Sequence, residues 1–139
     1  LFEPPVPRSQ HQNFVDAALA QTRLDLSKRE IHWIGYPQGW RQSEPSDVGS
    51  LVQKTGRTTG YTIGRIISLD TIIDVNYSPT TIARFTQQIL TTAMSAPGDS
   101  GSLVLDMANR AIGLLFAGSE TATIVNPIAM VRKLLKVEF

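Results

Sequence analysis

The most constraining feature of the sequence is a glycine-flanked turn that leads directly into an apolar segment. Residues 94–104 read MSAPGDSGSLV, so Asp99 and Ser100 lie between Gly98 and Gly101. Glycine has no Cβ, which lets the backbone turn tightly and lets a second backbone approach closely. Because a run typical of a strand follows at once, we expect Ser100 to lie in a tight turn rather than inside a regular element.

Such a turn suits a nucleophile. The backbone N–H groups of Gly98 and Ser100 would point at one place beside the Ser100 hydroxyl, where they would stabilise the negative oxygen of a tetrahedral intermediate. The pattern therefore predicts a nucleophile at Ser100 and an oxyanion hole formed by Gly98 and Ser100. The alternative interpretation is an ordinary glycine-rich hairpin without a chemical role.

Two motifs resemble one family. The string GDSGS at residues 98–102 resembles the nucleophile loop of chymotrypsin-like serine peptidases, especially the cysteine-free bacterial type. Lys54, the string GRTTG at residues 56–60 and Gly64 are similar to the first hairpin of the second barrel in bacterial trypsin-like peptidases. The resemblance covers residues 13–135. It implies an all-β, trypsin-like fold with one complete C-terminal six-stranded barrel, a C-terminal helix and a remnant of the N-terminal barrel.

The resemblance also implies a division of the chain. We expect residues 1–37 to be the remnant of the N-terminal barrel, residues 38–50 the inter-barrel loop, and residues 51–139 the C-terminal barrel with its terminal helix. Asn126 is expected to cap that helix and Pro127 to be its first residue. Strands are predicted from β-branched and apolar runs at residues 31–37, 51–66, 69–75, 84–92, 103–107, 111–117 and 121–125.

Asp16 is an acid among apolar neighbours, in the run VDAAL at residues 15–19. Taken alone, a carboxylate at such a place is a turn or cap residue. In the family that the sequence resembles, however, the triad acid opens a short apolar strand upstream of the serine. The resemblance therefore implies that Asp16 is the triad acid, which would hold an imidazole in one tautomer and stabilise its charged form.

Neither histidine of the sequence fits the role of the triad base. His32 lies in a mostly apolar run, which favours a structural or exposed role, and His11 lies too close in sequence to Asp16. We expect the base to come from a segment upstream of Leu1, separate or missing, and this chain alone to be inactive. Since Leu1 is not methionine, we expect the chain to begin inside a longer product.

The resemblance further implies where a substrate would bind. Met94, six residues before Ser100, would lie at the base of the pocket for the side chain that precedes the cut bond. Phe116, Ala117 and Gly118 would line that pocket and pair with an extended substrate. An uncharged Met94 and a large Phe116 favour a small or modest apolar side chain. Without the resemblance, these would be interpreted as core residues.

Two functions follow from these patterns. The first is a serine endopeptidase that forms an acyl-enzyme on Ser100, with a peptide or protein as substrate and the N-terminal fragment of the same precursor as partner. The second is a catalytically inert trypsin-like domain that serves as a peptide-binding, protein-binding or structural module. The missing base leaves both open.

The composition argues against other classes of function. The formal net charge is +1 and no basic cluster occurs, which argues against nucleic acid as a partner. The chain has no cysteine and only two histidines, so neither a metal site nor another cofactor is expected. No apolar run reaches the roughly 18 residues of a membrane span.

Overall fold

Six antiparallel strands close into a barrel in the computed structural model, which describes residues 12–138. The order around the barrel is β1-β2-β3-β6-β5-β4, and β1 pairs with β4 to close the ring. A helix, α1 (Ile128–Leu135), follows the last strand. The expected all-β barrel with a terminal helix is confirmed. The strands are β1 (Leu51–Gly56), β2 (Gly60–Ser78), β3 (Thr81–Thr92), β4 (Leu103–Asp106), β5 (Ala111–Gly118) and β6 (Ala122–Pro127).

Alternation along the strands places the core inside the barrel. In β2, Gly64 and Ile66 are buried while Arg65 between them is exposed, as the two-residue period of a strand requires. A second cluster lies between the barrel and α1, where Ala111 contacts the helix and Val15 packs from outside. The main core cluster consists of Val52, Ile66, Ile89, Met94, Val104, Ile112, Leu115 and Val125.

The expected strand at residues 31–37 is wrong. Ile31 and Gly35 form an isolated antiparallel bridge, and residues 32–34 between them form a tight turn. Trp33 has a φ of 67° and Gly35 a φ of 92°, so the chain reverses here instead of extending. Trp33 in this turn is exposed, whereas Ile31 and Ile34 are half-buried.

β2 is longer than expected because bulges bend it without interrupting it. The runs 60–66 and 69–75 belong to one strand of 19 residues, which pairs with β3 through several register shifts. Asp70 has a φ of 52° and Gln87 a φ of 61°, and both lie at these shifts. A bulge turns a strand and increases its twist, which lets a long ribbon follow a closed barrel.

The segment before the barrel is fastened to it. The Gln38 N–H donates to the Asn109 carbonyl at 2.8 Å, and the Arg41 N–H donates to the Ala111 carbonyl at 2.9 Å. The Arg41 guanidinium also pairs with Asp47 at 2.7 Å and with Asp106 at 2.8 Å.

Among residues 12–138, no helix has the length and apolar character needed to cross a membrane.

Gly113 lies where β5 packs closely against β6. A Cβ built on Gly113 would overlap Cγ1 of Val125 and lie 2.6 Å from the carbonyl oxygen of Asn126. We expect Gly113→Ala to lower the free energy of unfolding by about 1–3 kcal/mol, because the two strands have to separate. Urea denaturation checks this. Ser50→Thr, which adds a methyl group at an exposed loop position, is the control, and equal losses for the two variants would contradict the prediction.

Candidate active site

Ser100 lies on an exposed turn between β3 and β4, as the sequence predicts. Gly98 and Gly101 on either side have φ angles of 103° and 88°. Glycine adopts this left-handed region without strain, whereas other residues rarely do. The Ser100 hydroxyl donates to the Phe116 carbonyl in β5 at 3.1 Å.

The backbone donors of this turn fall into two groups. The N–H of Asp99 donates to the Ala96 carbonyl at 3.0 Å, and the N–H of Gly101 donates to the Leu115 carbonyl at 2.7 Å. The N–H groups of Gly98 and Ser100, in contrast, donate to no group within residues 12–138. Backbone donors left unpaired beside an exposed hydroxyl are available to a bound oxygen.

Asp99 fixes the turn through a buried ion pair with Lys54, which the sequence analysis missed. Its side chain and that of Lys54 are each 0% exposed, and Nζ of Lys54 lies 3.1 Å from Oδ2. The same carboxylate accepts hydrogen bonds from the Thr59 hydroxyl at 2.6 Å, from the Thr58 N–H at 2.8 Å and from the Ala96 N–H at 3.1 Å. The turn is therefore tied to the hairpin of β1 and β2 through Asp99.

The surroundings of Asp99 favour its charged form. Burial by itself raises the pKa of this carboxyl, but the hydrogen bonds from Thr59 and from the N–H groups of Ala96 and Thr58 outweigh burial and hold the pKa well below its ordinary value. Gly56 makes room for the carboxylate, since a Cβ there would lie 2.6 Å from Cγ of Asp99. The first glycine of the GRTTG string thus has a direct structural reason.

Asp16 is held in place by Asn126, which was expected to cap α1 but does not. The side-chain amide of Asn126 accepts from the Asp16 N–H at 3.2 Å and donates to the Asp16 carbonyl at 2.8 Å. Pro127, expected as the first helical residue, is the N-cap instead, and α1 begins at Ile128. The fully buried Asn126 therefore joins the end of β6 to a residue 110 positions earlier.

The Asp16 carboxylate accepts a hydrogen bond from the Tyr77 hydroxyl near the end of β2. Burial, followed by this hydrogen bond, raises the pKa of Tyr77 above its ordinary value, so the phenol stays protonated and donates. The segment before Asp16 runs beside β3, where the Thr86 N–H donates to the Asn13 carbonyl at 2.9 Å. Tyr77 carried no signal in the sequence that would have related it to Asp16.

An aromatic cluster lies between the two predicted catalytic residues. The carbonyl of Phe116 accepts the hydrogen bond from Ser100. The centroids of the Phe116 and Phe85 rings lie 4.9 Å apart. Phe85 in turn forms a bridge with Asn13 and, together with Asp16, lines a cavity of about 340 Å³. No hydrogen bond joins Ser100 to Asp16 in the described part of the chain. The other residues that line this cavity are Asn13, Val15, Ala17, Tyr77 and Ala83.

The histidines lie outside this cluster or outside the described residues. His32 is exposed, and the centroids of the His32 and Trp33 rings lie 4.8 Å apart in an edge-to-face arrangement. His11 falls before residue 12 and is not described. Within residues 12–138, no three histidine or acidic side chains come together in a way that could hold a metal ion.

Solved structures with this architecture were found by structural comparison. They include Cellulomonas bogoriensis chymotrypsin (27% identity, TM-score 0.61), Thermobifida fusca protease A (24%, 0.63) and Nocardiopsis protease (20%, 0.62). The alignments cover 73%, 74% and 74% of this chain and 53% of each of those proteins. The fold is that of the bacterial chymotrypsin-like serine proteases.

The chain thus spans about half the length of these proteases, consistent with the C-terminal part expected from the two motifs. The sequence matches no protein-family model and no curated protein. The likeness to proteases therefore rests on the barrel and on the resemblance of the Ser100 turn.

The residues expected to contact a substrate occupy two different environments in this protease fold. Met94 is 4% exposed and belongs to the main core cluster, with its sulfur against Gly64. Phe116 and Ala117 are half-buried and Gly118 is exposed at the end of β5. A Cβ on Gly118 would lie 2.9 Å from the Ser95 hydroxyl, so this end of β5 runs close beside the segment that leads to the Ser100 turn.

The buried pair makes stability depend on pH. Asp99→Asn leaves the Lys54 charge buried without a counter-charge, so we expect it to lower the free energy of unfolding at pH 7 by about 3–5 kcal/mol. The pKa of Asp99 is lower in the folded than in the unfolded protein, so its stabilisation is present above the ordinary carboxyl pKa and is lost on acidification. The difference in the free energy of unfolding between wild type and Asp99→Asn should therefore become smaller below about pH 4.

Urea denaturation at pH 7 and pH 3 measures that difference. Asp25→Asn, which breaks the exposed ion pair with Arg23, is the matched control and should cause no measurable loss at either pH. If the two proteins differ in their free energy of unfolding by the same amount at pH 7 and at pH 3, the Asp99 charge is not the source of the stabilisation.

The clamp on Asp16 can be tested through its backbone. Asn126→Ala removes both hydrogen bonds to Asp16, each worth about 1 kcal/mol, so residues 13–17 should exchange amide hydrogens about tenfold faster or more. Hydrogen exchange followed by mass spectrometry of peptides that contain Asp16 measures this. Asn76→Ala, at an exposed position, is the control. Unchanged exchange at residues 13–17 in Asn126→Ala would show that other contacts hold the segment.

Proposed function

We propose that this chain is the C-terminal part of a serine endopeptidase in which Ser100 is the nucleophile. The observation that carries the proposal is that the N–H groups of Gly98 and Ser100, next to the exposed Ser100 hydroxyl, have no acceptor in the described part of the chain. Two fixed donors at such a place match the needs of an acyl-transfer transition state. The protease fold of the chain gives further support.

The proposed reaction has two halves. Oγ of Ser100 bonds to the peptide carbonyl carbon while its proton passes to an imidazole, and the carbonyl oxygen becomes negative between the two N–H donors. Collapse of this intermediate breaks the C–N bond, and the leaving amine takes the proton from the imidazolium. Water then attacks the acyl-enzyme with the same imidazole as base and releases the acid. The imidazole belongs, in this proposal, to a segment upstream of Leu1.

Asp16 is proposed as the acid that orients this imidazole. Three contacts support the role: the two backbone bonds to Asn126 and the hydrogen bond from Tyr77 to the carboxylate. A carboxylate that is held at both its backbone and its side chain keeps one direction without reorganisation, as an orienting group needs.

Residues 1–37 are assigned to the N-terminal barrel, residues 38–50 to the connection between barrels and residues 51–139 to the C-terminal barrel.

Substrate binding is proposed along the last residues of β5, which pair with β6 on one side and lie beyond the pairing with β4 on the other. The backbone of Phe116, Ala117 and Gly118 would pair with an extended peptide, as an edge segment can do. Met94 would form the floor of the pocket beneath, with its core packing making the floor apolar. A small or modest apolar side chain before the cut bond fits this arrangement.

The full-length protein provides the test. We expect a fluorophosphonate probe to label wild type and not Ser100→Ala, and Asp16→Asn to lower kcat by about 10⁴-fold because the imidazole loses its orientation. Ser46→Ala, which changes an exposed serine away from the turn, should label like wild type. If the folded full-length protein is not labelled, or if Ser100→Ala is labelled equally, the peptidase proposal is wrong and an inert binding module is favoured.

A further inference from the structure

A cation that has no partner among residues 12–138 lies beside one of the two proposed oxyanion donors. A Cβ built on Gly98 would lie 2.9 Å from Nη2 of Arg57, so the guanidinium rests against the open side of that glycine. Arg57 is exposed and makes no hydrogen bond or ion pair within residues 12–138. By contrast, Arg41, Arg84 and Arg110 each pair with a carboxylate at 2.8–2.9 Å or closer.

The neighbouring acid does not neutralise Arg57. The carboxylate of Asp99 contacts the N–H of Thr58, the next residue along the chain, but its charge is already matched by Lys54. Because the Lys54–Asp99 pair is buried and neutral as a unit, Arg57 contributes an uncompensated positive charge at the surface next to Gly98.

The position of Arg57 relative to a bound peptide follows from the two flanks of the Ser100 turn. One flank is β5, where the carbonyls of Leu115 and Phe116 accept from Gly101 and Ser100. The other flank is the turn between β1 and β2, where the Thr58 hydroxyl donates to the Pro97 carbonyl at 2.8 Å. If the acyl part of the substrate pairs with β5, the leaving-group part departs on the opposite flank, which is where Arg57 lies.

We infer that Arg57 selects substrates with an acidic side chain among the first residues after the cut bond. This inference rests on the proposed function. A guanidinium offers a planar fork of donors that binds a carboxylate through two parallel hydrogen bonds. An exposed contact of this kind adds a modest preference that salt weakens.

A peptide series with one fixed acyl part tests the inference in the full-length protein. Each of the first two leaving-group residues is varied among Glu, Gln and Lys, and kcat/KM is measured at low and high salt. Wild type should prefer Glu over Gln about threefold to fivefold at low salt, and less at high salt. Arg57→Gln should remove the preference, and Arg57→Glu should reverse it in favour of Lys.

Lys133→Gln is the matched control, since it removes a cation from α1, away from the turn, and should keep the preference of wild type. If Arg57→Glu leaves the Glu-to-Lys ratio unchanged, or lowers kcat equally for all peptides, Arg57 does not select the leaving group, and the inference fails while the peptidase activity stands. If wild type neither reacts with the fluorophosphonate probe nor cleaves any peptide, the proposed function fails and this inference fails with it.

Discussion

The buried pair of Lys54 and Asp99 is the interaction on which the candidate site depends. An isolated charge in a protein interior is costly, and each of these residues is tolerated only because of the other. The pair costs the core two apolar positions, but in return it directs four further donors onto one carboxylate. The turn that carries Ser100 is consequently fixed from inside the barrel, and its outer face is left free to bind an oxygen.

The two proposed catalytic residues are positioned by different means. Ser100 is positioned through its neighbour Asp99, which is held against the barrel by contacts with Lys54, Thr58 and Thr59. Asp16 belongs to a segment with few regular contacts of its own, and the barrel holds it from several sides through Asn126, Tyr77 and β3. Tertiary contacts therefore hold both residues, through a buried ion pair beside Ser100 and through hydrogen bonds to the backbone and side chain of Asp16.

Sequence reasoning predicted what is local and missed what is tertiary. The Ser100 turn could be predicted because its glycines and the following strand lie within eleven residues. Most strands could be predicted from β-branched runs, and the barrel was implied by the family resemblance. Asn126 was misassigned because its position before Pro127 favours a cap locally, while its actual partner lies at the other end of the chain. The pairing of Lys54 with Asp99 needed the topology. Residues 31–37 were misassigned because apolar content was given more weight than Gly35.

The bonds between Asn126 and Asp16 have a consequence for the order of assembly. The acid precedes the barrel in the chain, and the side chain that secures it enters with the final strand, so the loop that this contact closes contains nearly every other element. Closing such a long loop costs more chain entropy than closing a short one, and contacts of long range are associated with slower folding. In a nascent polypeptide the Ser100 turn is synthesised before Asn126, so the backbone of Asp16 gains this anchor only once the last strand is present.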